Sequence, residues 1–330
     1  MKESLRQKCE LLADNYVLIH KDFMWEIDIM NIVAASIYTN AGLKADPEVI
    51  KQCRNILRKK ESVLSELRGS AELALLSRMA VSNNPENYLE EVTGVYKKVK
   101  KGKIFSSEYM VLVALIICEQ HKVGQAEDII KKMNLIMKKM EKEHPFLTGK
   151  EDMPYATIMA MLPNDVDKMI NDMEKCYDIL KKEFPMHGNS VQGLCQVLTL
   201  SGLNHDDKCK KALDIYDALR KTGIKYGKST ELAALGALVD LNMAPEAIAN
   251  EIHDVSELLK KHKGFGNMAL GKEHRAMFAA LLVAEEYSGD KRSIQTTSIG
   301  SSIALAIAEE IVIMILMSST IVASTTVNNN

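Results

Sequence analysis

Two kinds of apolar pattern alternate along residues 1–287. One kind is rich in small and aliphatic residues and apolar nearly all round, as in "AELALLSRMAV" (71–81), "EYMVLVALIIC" (108–118), "YATIMAMLP" (155–163), "SVQGLCQVLTL" (190–200) and "ELAALGALVDL" (231–241). "WEIDIMNIVAASIY" (25–38) and "HRAMFAALLVAEEY" (274–287) read as terminal copies. A helix of this kind must be sandwiched between neighbours. The other kind is amphipathic and ends in basic residues. In "EKCYDILKKEF" (174–184), Cys176, Tyr177, Ile179, Leu180 and Phe184 mark one face, and Lys175, Asp178, Lys181 and Lys182 the other. Its register recurs at Arg54, Tyr96, Met137, Tyr177, Tyr216 and Ser256, spaced 42, 41, 40, 39 and 40 residues apart. Between an apolar segment and the amphipathic one after it lie "SNNPENY" (82–88), "LPNDVDK" (162–168), "GLNHDDK" (202–208) and "LNMAPEA" (241–247). Asn and Asp there can accept from the first N–H groups of a helix, and Pro suits its first turn. No strand alternation competes in residues 1–290. The pattern predicts an all-α chain of tandem antiparallel helix pairs, each about 40 residues, stacked as an α-solenoid or closed into a helical toroid. Periodicity does not choose between the two.

The pattern changes after Tyr287. "SGDKRSIQTTSIGSS" (288–302) reads as a polar linker, and residues 303–330 as an apolar C-terminal segment. The stretch from Ile303 to Ala323 is 21 residues, long enough to span a bilayer, with Lys291 and Arg292 before it. Glu309 and Glu310 inside it would cost about 2.5–3.5 kcal/mol each near the bilayer centre. A stack of helix pairs also needs its apolar end covered. The expectation is therefore a packing helix that caps the repeat or joins two copies as a homo-oligomer. Membrane association through residues 303–330 is the alternative.

Composition agrees with helices. Hydrophobic residues make up 47% and charged residues 26%, Met is abundant at 19, aromatics are 5%, and there are only 7 prolines. The formal net charge of -2 gives no basic field to draw nucleic acid. The six cysteines, Cys9, Cys53, Cys118, Cys176, Cys195 and Cys209, form no C-x-x-C pair and sit in helix-like segments. They read as reduced thiols of a cytoplasmic protein. The first residues hold no uninterrupted apolar run of the kind a secretory signal needs.

Four runs, "EHPFLTGKEDMPYATIMAM" (143–161), "YDILKKEFPMHGNSVQGLCQVLTL" (177–200), "YGKSTELAALGALVDL" (226–241) and "KGFGNMALGKEHRAMFAALLVAEEY" (263–287), carry a resemblance. In order and spacing the chain resembles a bacterial family of functionally uncharacterised proteins, number four thousand and three in the series of domains of unknown function. The likeness covers nearly the whole chain, tail included. It implies no catalytic residues, because the family has none assigned.

Candidate chemistry is sparse. "GNMALGKE" (266–273) approaches the phosphate-loop pattern, but Glu273 stands where a hydroxyl should meet magnesium, and a helix rather than a strand precedes it. What remains is an anion site built from Gly264, Gly266, Gly271, Lys272, His274 and Arg275 at the start of a helix. His205-Asp206-Asp207 has the look of a metal pair, yet falls where capping residues are expected. No other histidine has ligand spacing, so no metal and no cofactor are expected. Glu72, Glu108 and Glu231, with Glu26 as a first copy, follow Ser or Thr in a cap-like pattern (Ser70; Ser106 and Ser107; Ser229 and Thr230). The amphipathic helices end in lysines, among them Lys100, Lys101, Lys181, Lys182, Lys260 and Lys261, which one edge of a stack would gather. With few aromatics among them, nucleic acid is not an expected partner. The function these features suggest is a cytoplasmic binding or scaffold module for a protein or peptide. The alternative is a small-ligand binder or enzyme with its site in a toroid.

Overall fold

The computed structural model describes residues 1–103, 105–288, 303, 304, 306, 307 and 311. Among them there are fourteen α-helices and no strand. In chain order they are α1 (Glu3–Asp22), α2 (Asp28–Asn40), α3 (Pro47–Lys60), α4 (Glu72–Val81), α5 (Pro85–Lys100), α6 (Glu108–Glu119) and α7 (Ala126–Glu143). There follow α8 (Met153–Ala160), α9 (Val166–Glu183), α10 (Gly188–Leu198), α11 (His205–Lys221), α12 (Leu232–Leu235), α13 (Pro245–Leu259) and α14 (Lys272–Tyr287).

Local chemistry starts several of these helices. The Asp46 carboxylate accepts from Glu48 N at 2.9 Å, with Pro47 in the first turn of α3. Asn84 accepts from Asn87 N at 3.1 Å, with Pro85 opening α5. Asp165 and Asn204 do the same for α9 and α11, at 3.1 and 3.0 Å. Each bond satisfies a donor that the helix itself leaves unpaired.

The even-numbered helices are buried on every side. In α6 every residue from Met110 to Cys118 is buried, and in α14 every residue from Arg275 to Ala284. The odd-numbered helices bury one stripe, such as Ile50, Cys53 and Leu57 in α3. Each helix packs on its sequence neighbour or on the helix two places along: α2 on α4, α6 on α8, α10 on α12, and α7 on α9, α9 on α11, α11 on α13.

Two features differ from the sequence pattern. The first is α1, twenty residues whose apolar stripe is interrupted by Asn15, a buried side chain that donates to Leu43 O and accepts from Ala45 N. The second is the expected helix over 231–241. It runs as α12 for four residues and tightens into a 3-10 turn at Gly236–Leu238. A methyl group at Gly236 would lie 2.6 Å from Val197 Cγ1, so this turn is pressed against α10 too closely for a side chain.

The first helix also meets the last ones. α1 packs on α2, α13 and α14. Lys8 Nζ lies 2.6 Å from Glu285 Oε2, Ser4 Oγ donates to Glu286 at 2.5 Å, and Lys2 sits over the Tyr287 ring at 4.2 Å. Asn40, the last residue of α2, donates to Glu285 Oε1 at 3.2 Å. Ile303, Ala304, Ala306, Ile307 and Ile311 are helical and buried in the same hydrophobic core as the helices above. Residues 289–302, Glu309, Glu310 and residues 312–330 lie outside the described residues. Among the described residues no helix is long and apolar enough to cross a membrane.

Candidate functional site

Two loops that are distant in sequence lie side by side near the start of α14. One follows α11 (residues 222–231); the other follows α13 (residues 260–271). Lys225 Nζ is 2.8 Å from Glu273 Oε1, and His274 Nε2 is 3.3 Å from the buried Glu231 carboxylate, which also accepts from Ser229 N at 3.1 Å. Between the loops and the last turns of α13 lies a cavity of about 220 Å³. Lys225, His253, Lys260, Lys272 and Arg275 line it, together with Thr222, Ser256, Asn267 and Glu257, whose carboxylate pairs with Lys260 at 3.0 Å. A shallower hollow of about 330 Å³ adjoins it, lined by Gly271, Lys272 and His274 with Lys225 and Glu273.

Arg275 is the unusual group. Only 4% of the residue is exposed. Its Nη1 donates to Phe265 O at 2.9 Å and to Gly271 O at 3.4 Å, and its Nε to Ser256 Oγ at 3.3 Å. No carboxylate among the described residues forms an ion pair with it. Burial pulls the guanidinium below its ordinary value, with Glu257 opposing that shift. A buried charge held only by neutral acceptors is short of a counter-ion. At the cavity wall, that deficit favours an anion.

The six residues expected to form an anion site divide into two groups. Lys272 and Arg275 meet at the cavity, while Gly271 and His274 face the adjoining hollow. Gly264 and Gly266 do something else. Gly264 (φ 89) packs flat on the Tyr16 ring. Gly266 O accepts the N–H groups of Ala269, Leu270 and Gly271 at 3.2–3.3 Å, so the amides that a phosphate loop would offer are turned into the loop itself. Gly271 (φ 83) brings no capping side chain to α14, and its first turn is left without a side-chain cap. Lys225 and His253 join the site from positions outside the glycine motif, and Asn267 from within it. The signal that could have found Lys225 is the forty-residue register, which sets 220–228 against 260–272.

Other sequence candidates resolve into structure. Asn204 caps α11 through Asp207 N, and Lys208, buried, pairs with Asp172, so His205-Asp206-Asp207 forms a helix start. Among the described residues no group of three or more His, Cys, Asp or Glu could hold a metal. The recurring glutamates are a correction to the cap-like reading: Ser107 makes no capping bond to α6, and no side chain caps α4. Arg54 instead bridges two of the glutamates, with Nη2 2.9 Å from Glu26 and Nε 2.6 Å from Glu72. The cap pattern and an ion-pair partner look alike in sequence, because both place an acid at the first turn. All six cysteines are free and buried. Burial pushes the Cys9 and Cys118 thiols up to about 12 and Cys53 up to about 11, which removes the thiolate a nucleophile requires.

What the fold and the cleft define is an all-α protein with a basic cavity at a helix start and no visible nucleophile or metal cluster among the described residues. The chain belongs to the family described as Protein of unknown function (DUF4003), which matches residues 15–315. No curated protein and no solved structure matches it.

Proposed function

We propose that the chain is an anion-binding module built on a closed ring of seven antiparallel helix pairs, with a phosphate-bearing small molecule as its ligand. The ring reading rests on helix order. Each even-numbered helix from α2 to α12 is followed by an odd-numbered partner; after α14 the described residues hold only the helical Ile303, Ala304, Ala306, Ile307 and Ile311. α1 packs on both α13 and α14, meeting α14 through Lys8, Lys2 and Ser4. An extended scaffold with a concave peptide surface would keep its two ends apart, so these contacts favour the small-ligand reading over the scaffold. The buried positions of Ile303, Ala304, Ala306, Ile307 and Ile311 favour a packing role for the C-terminal segment over a membrane tether.

One observation carries the ligand class: Arg275, buried and without a carboxylate partner, on the wall of a cavity that Lys225, Lys260 and Lys272 also line. A planar guanidinium suits phosphate oxygens, and the lysines add point charges. The test is thermal unfolding with inorganic phosphate, pyrophosphate and sugar phosphates at low salt. Ligand at 100 times its Kd should add about 2.7 kcal/mol of stability. Lys272→Ala and Lys260→Ala, both at exposed positions, should abolish the gain without lowering the ligand-free Tm. No gain with any of these anions, or a gain that both variants retain, refutes the proposal. Solution scattering tests the ring separately, and an extended arc would contradict it.

A further inference from the structure

The large apolar residues that stand most exposed are not scattered. Trp25, Leu64, Phe105, Phe146, Met186 and Met268 are each at least 70% exposed. They are spaced 39, 41, 41, 40 and 82 residues apart, and all lie in loops that lead from an odd-numbered helix into the next even-numbered one. Met24 and Val63 stand beside two of them, also exposed. The loops of the opposite kind, from even to odd, carry only Leu43 and Leu203 among the exposed large hydrophobics, at 46% and 37%.

Contacts from loop to loop place these residues along one edge. Arg54 ties Glu26 to Glu72, across the loops that hold Trp25 and Leu64. Ser106 donates to Glu66 at 2.7 Å, joining the loops of Phe105 and Leu64. Packing of α6 on α8 leads on to the loop of Phe146. Gln192 reaches Leu147 O at 3.5 Å, beside Phe146 and just past the loop of Met186. Lys228 lies over the Phe184 ring at 5.9 Å, and Lys225 pairs with Glu273 at 2.8 Å. Phe265, in the loop of Met268, meets Tyr16 of α1 edge-on at 5.5 Å.

The same edge is basic. Residues 97–107, 220–228 and 260–272 contain twelve lysines, one arginine and no acid, while Glu26, Glu61 and Glu66 stand in the loops of Trp25 and Leu64. First-turn acids occur at both edges: Glu86, Glu127 with Asp128, Asp167, and Asp206 with Asp207 where odd-numbered helices start, and Asp28, Glu72, Glu108 and Glu273 where even-numbered ones do, so the lysine-rich loops rather than a lack of acids set this edge apart.

We infer that this edge docks on the surface of an anionic lipid bilayer. Apolar side chains at loop tips gain nothing in water and contribute no packing to the core, but they can enter the headgroup boundary. The lysines of residues 97–107, 220–228 and 260–272 meet the negative surface potential. Aromatic residues such as Trp25 are suited to that boundary, with one side apolar and one polar. The inference does not rest on the cavity at Arg275, since none of the six apolar residues lines it.

Vesicle co-sedimentation tests it, with Trp25 emission as a second readout because the chain has a single tryptophan. Vesicles of phosphatidylglycerol and phosphatidylcholine should sediment the protein and shift its emission to shorter wavelength, with phosphatidylcholine alone doing neither. Raised salt should weaken binding. Phe105→Ser with Phe146→Ser should weaken it at least tenfold, and Met186→Ser with Met268→Ser should act in the same direction while helical content is unchanged. The inference is overturned by no sedimentation with phosphatidylglycerol. It is overturned equally if both double variants bind like the parent, or if polyglutamate displaces the vesicles while the serine variants bind undiminished. That last result would assign the edge to an acidic protein.

Discussion

Replacing Gly264 by alanine probes the place where the chain's two ends meet. Gly264 sits at φ 89, and its α-carbon faces the ring of Tyr16 on α1. Two costs add. A side chain in the left-handed region costs about 1 kcal/mol. A methyl group there would also overlap Tyr16 Cε1 and Cζ. The ring has no easy way to give: it is 2% exposed, stacks on His20 at 5.2 Å, meets Phe265 at 5.5 Å, and its hydroxyl donates to Asp28 at 3.0 Å. Overpacking of such a site costs about 1–3 kcal/mol. Gly264→Ala should therefore lose about 2–4 kcal/mol in urea unfolding, read from the midpoint at unchanged slope. A double-mutant cycle with Tyr16→Leu isolates the steric part, because the shorter side chain leaves room for the methyl group. Gly264→Ala should cost about 1–3 kcal/mol less in the Tyr16→Leu background. A loss below about 0.5 kcal/mol in the parent, or one that Tyr16→Leu does not reduce, would refute the reasoning.

Asp152 predicts a pH effect. Burial pushes its carboxyl up to about 6, although Gly149 N, Gln196 and Gln192 all donate to it and pull the other way. An unfolded aspartate titrates near ~3.9. Between those values the folded state holds the proton more tightly, so stability falls as pH rises through that window and levels above about 6. The span of about two pH units is worth up to about 3 kcal/mol. Asp152→Asn cannot titrate, so its stability relative to the parent should improve by that order between pH 4 and 7 in urea unfolding. Parallel profiles would exclude the effect. Arg54→Met leaves Glu26 and Glu72 facing each other without their shared cation and should cost about 2–4 kcal/mol by the same assay. An unchanged midpoint would show that the three groups do not act as an ion network.

The helices and their starts were largely legible before any coordinates. Asn84, Pro85, Asp165 and Asn204 act where their pattern placed them, because capping involves atoms within three residues along the chain. The apolar run of α6 is buried all round, as its composition requires. Lys272 and Arg275 were legible as basic residues at a helix start, but not the burial of Arg275 without a carboxylate ion pair. Gly266 misled because a glycine loop can turn its amides outward or inward. Here they close on Gly266 O. Glu72 misled because an acid in a helix's first turn suits a cap pattern and an ion pair equally.

By itself, then, the amino-acid order determined a chain of alternating buried and amphipathic helices, the turns between them, and lysines at the ends of the amphipathic set. Those properties follow from contacts within a few residues. Tertiary structure alone decided that Lys8 meets Glu285, that Phe265 meets Tyr16, and that the loop of Lys225 lies against the start of α14. Such pairings depend on how small tilts accumulate from one helix to the next. No single stretch of sequence encodes that sum, and it decides both the cavity at Arg275 and the edge on which the exposed apolar residues gather.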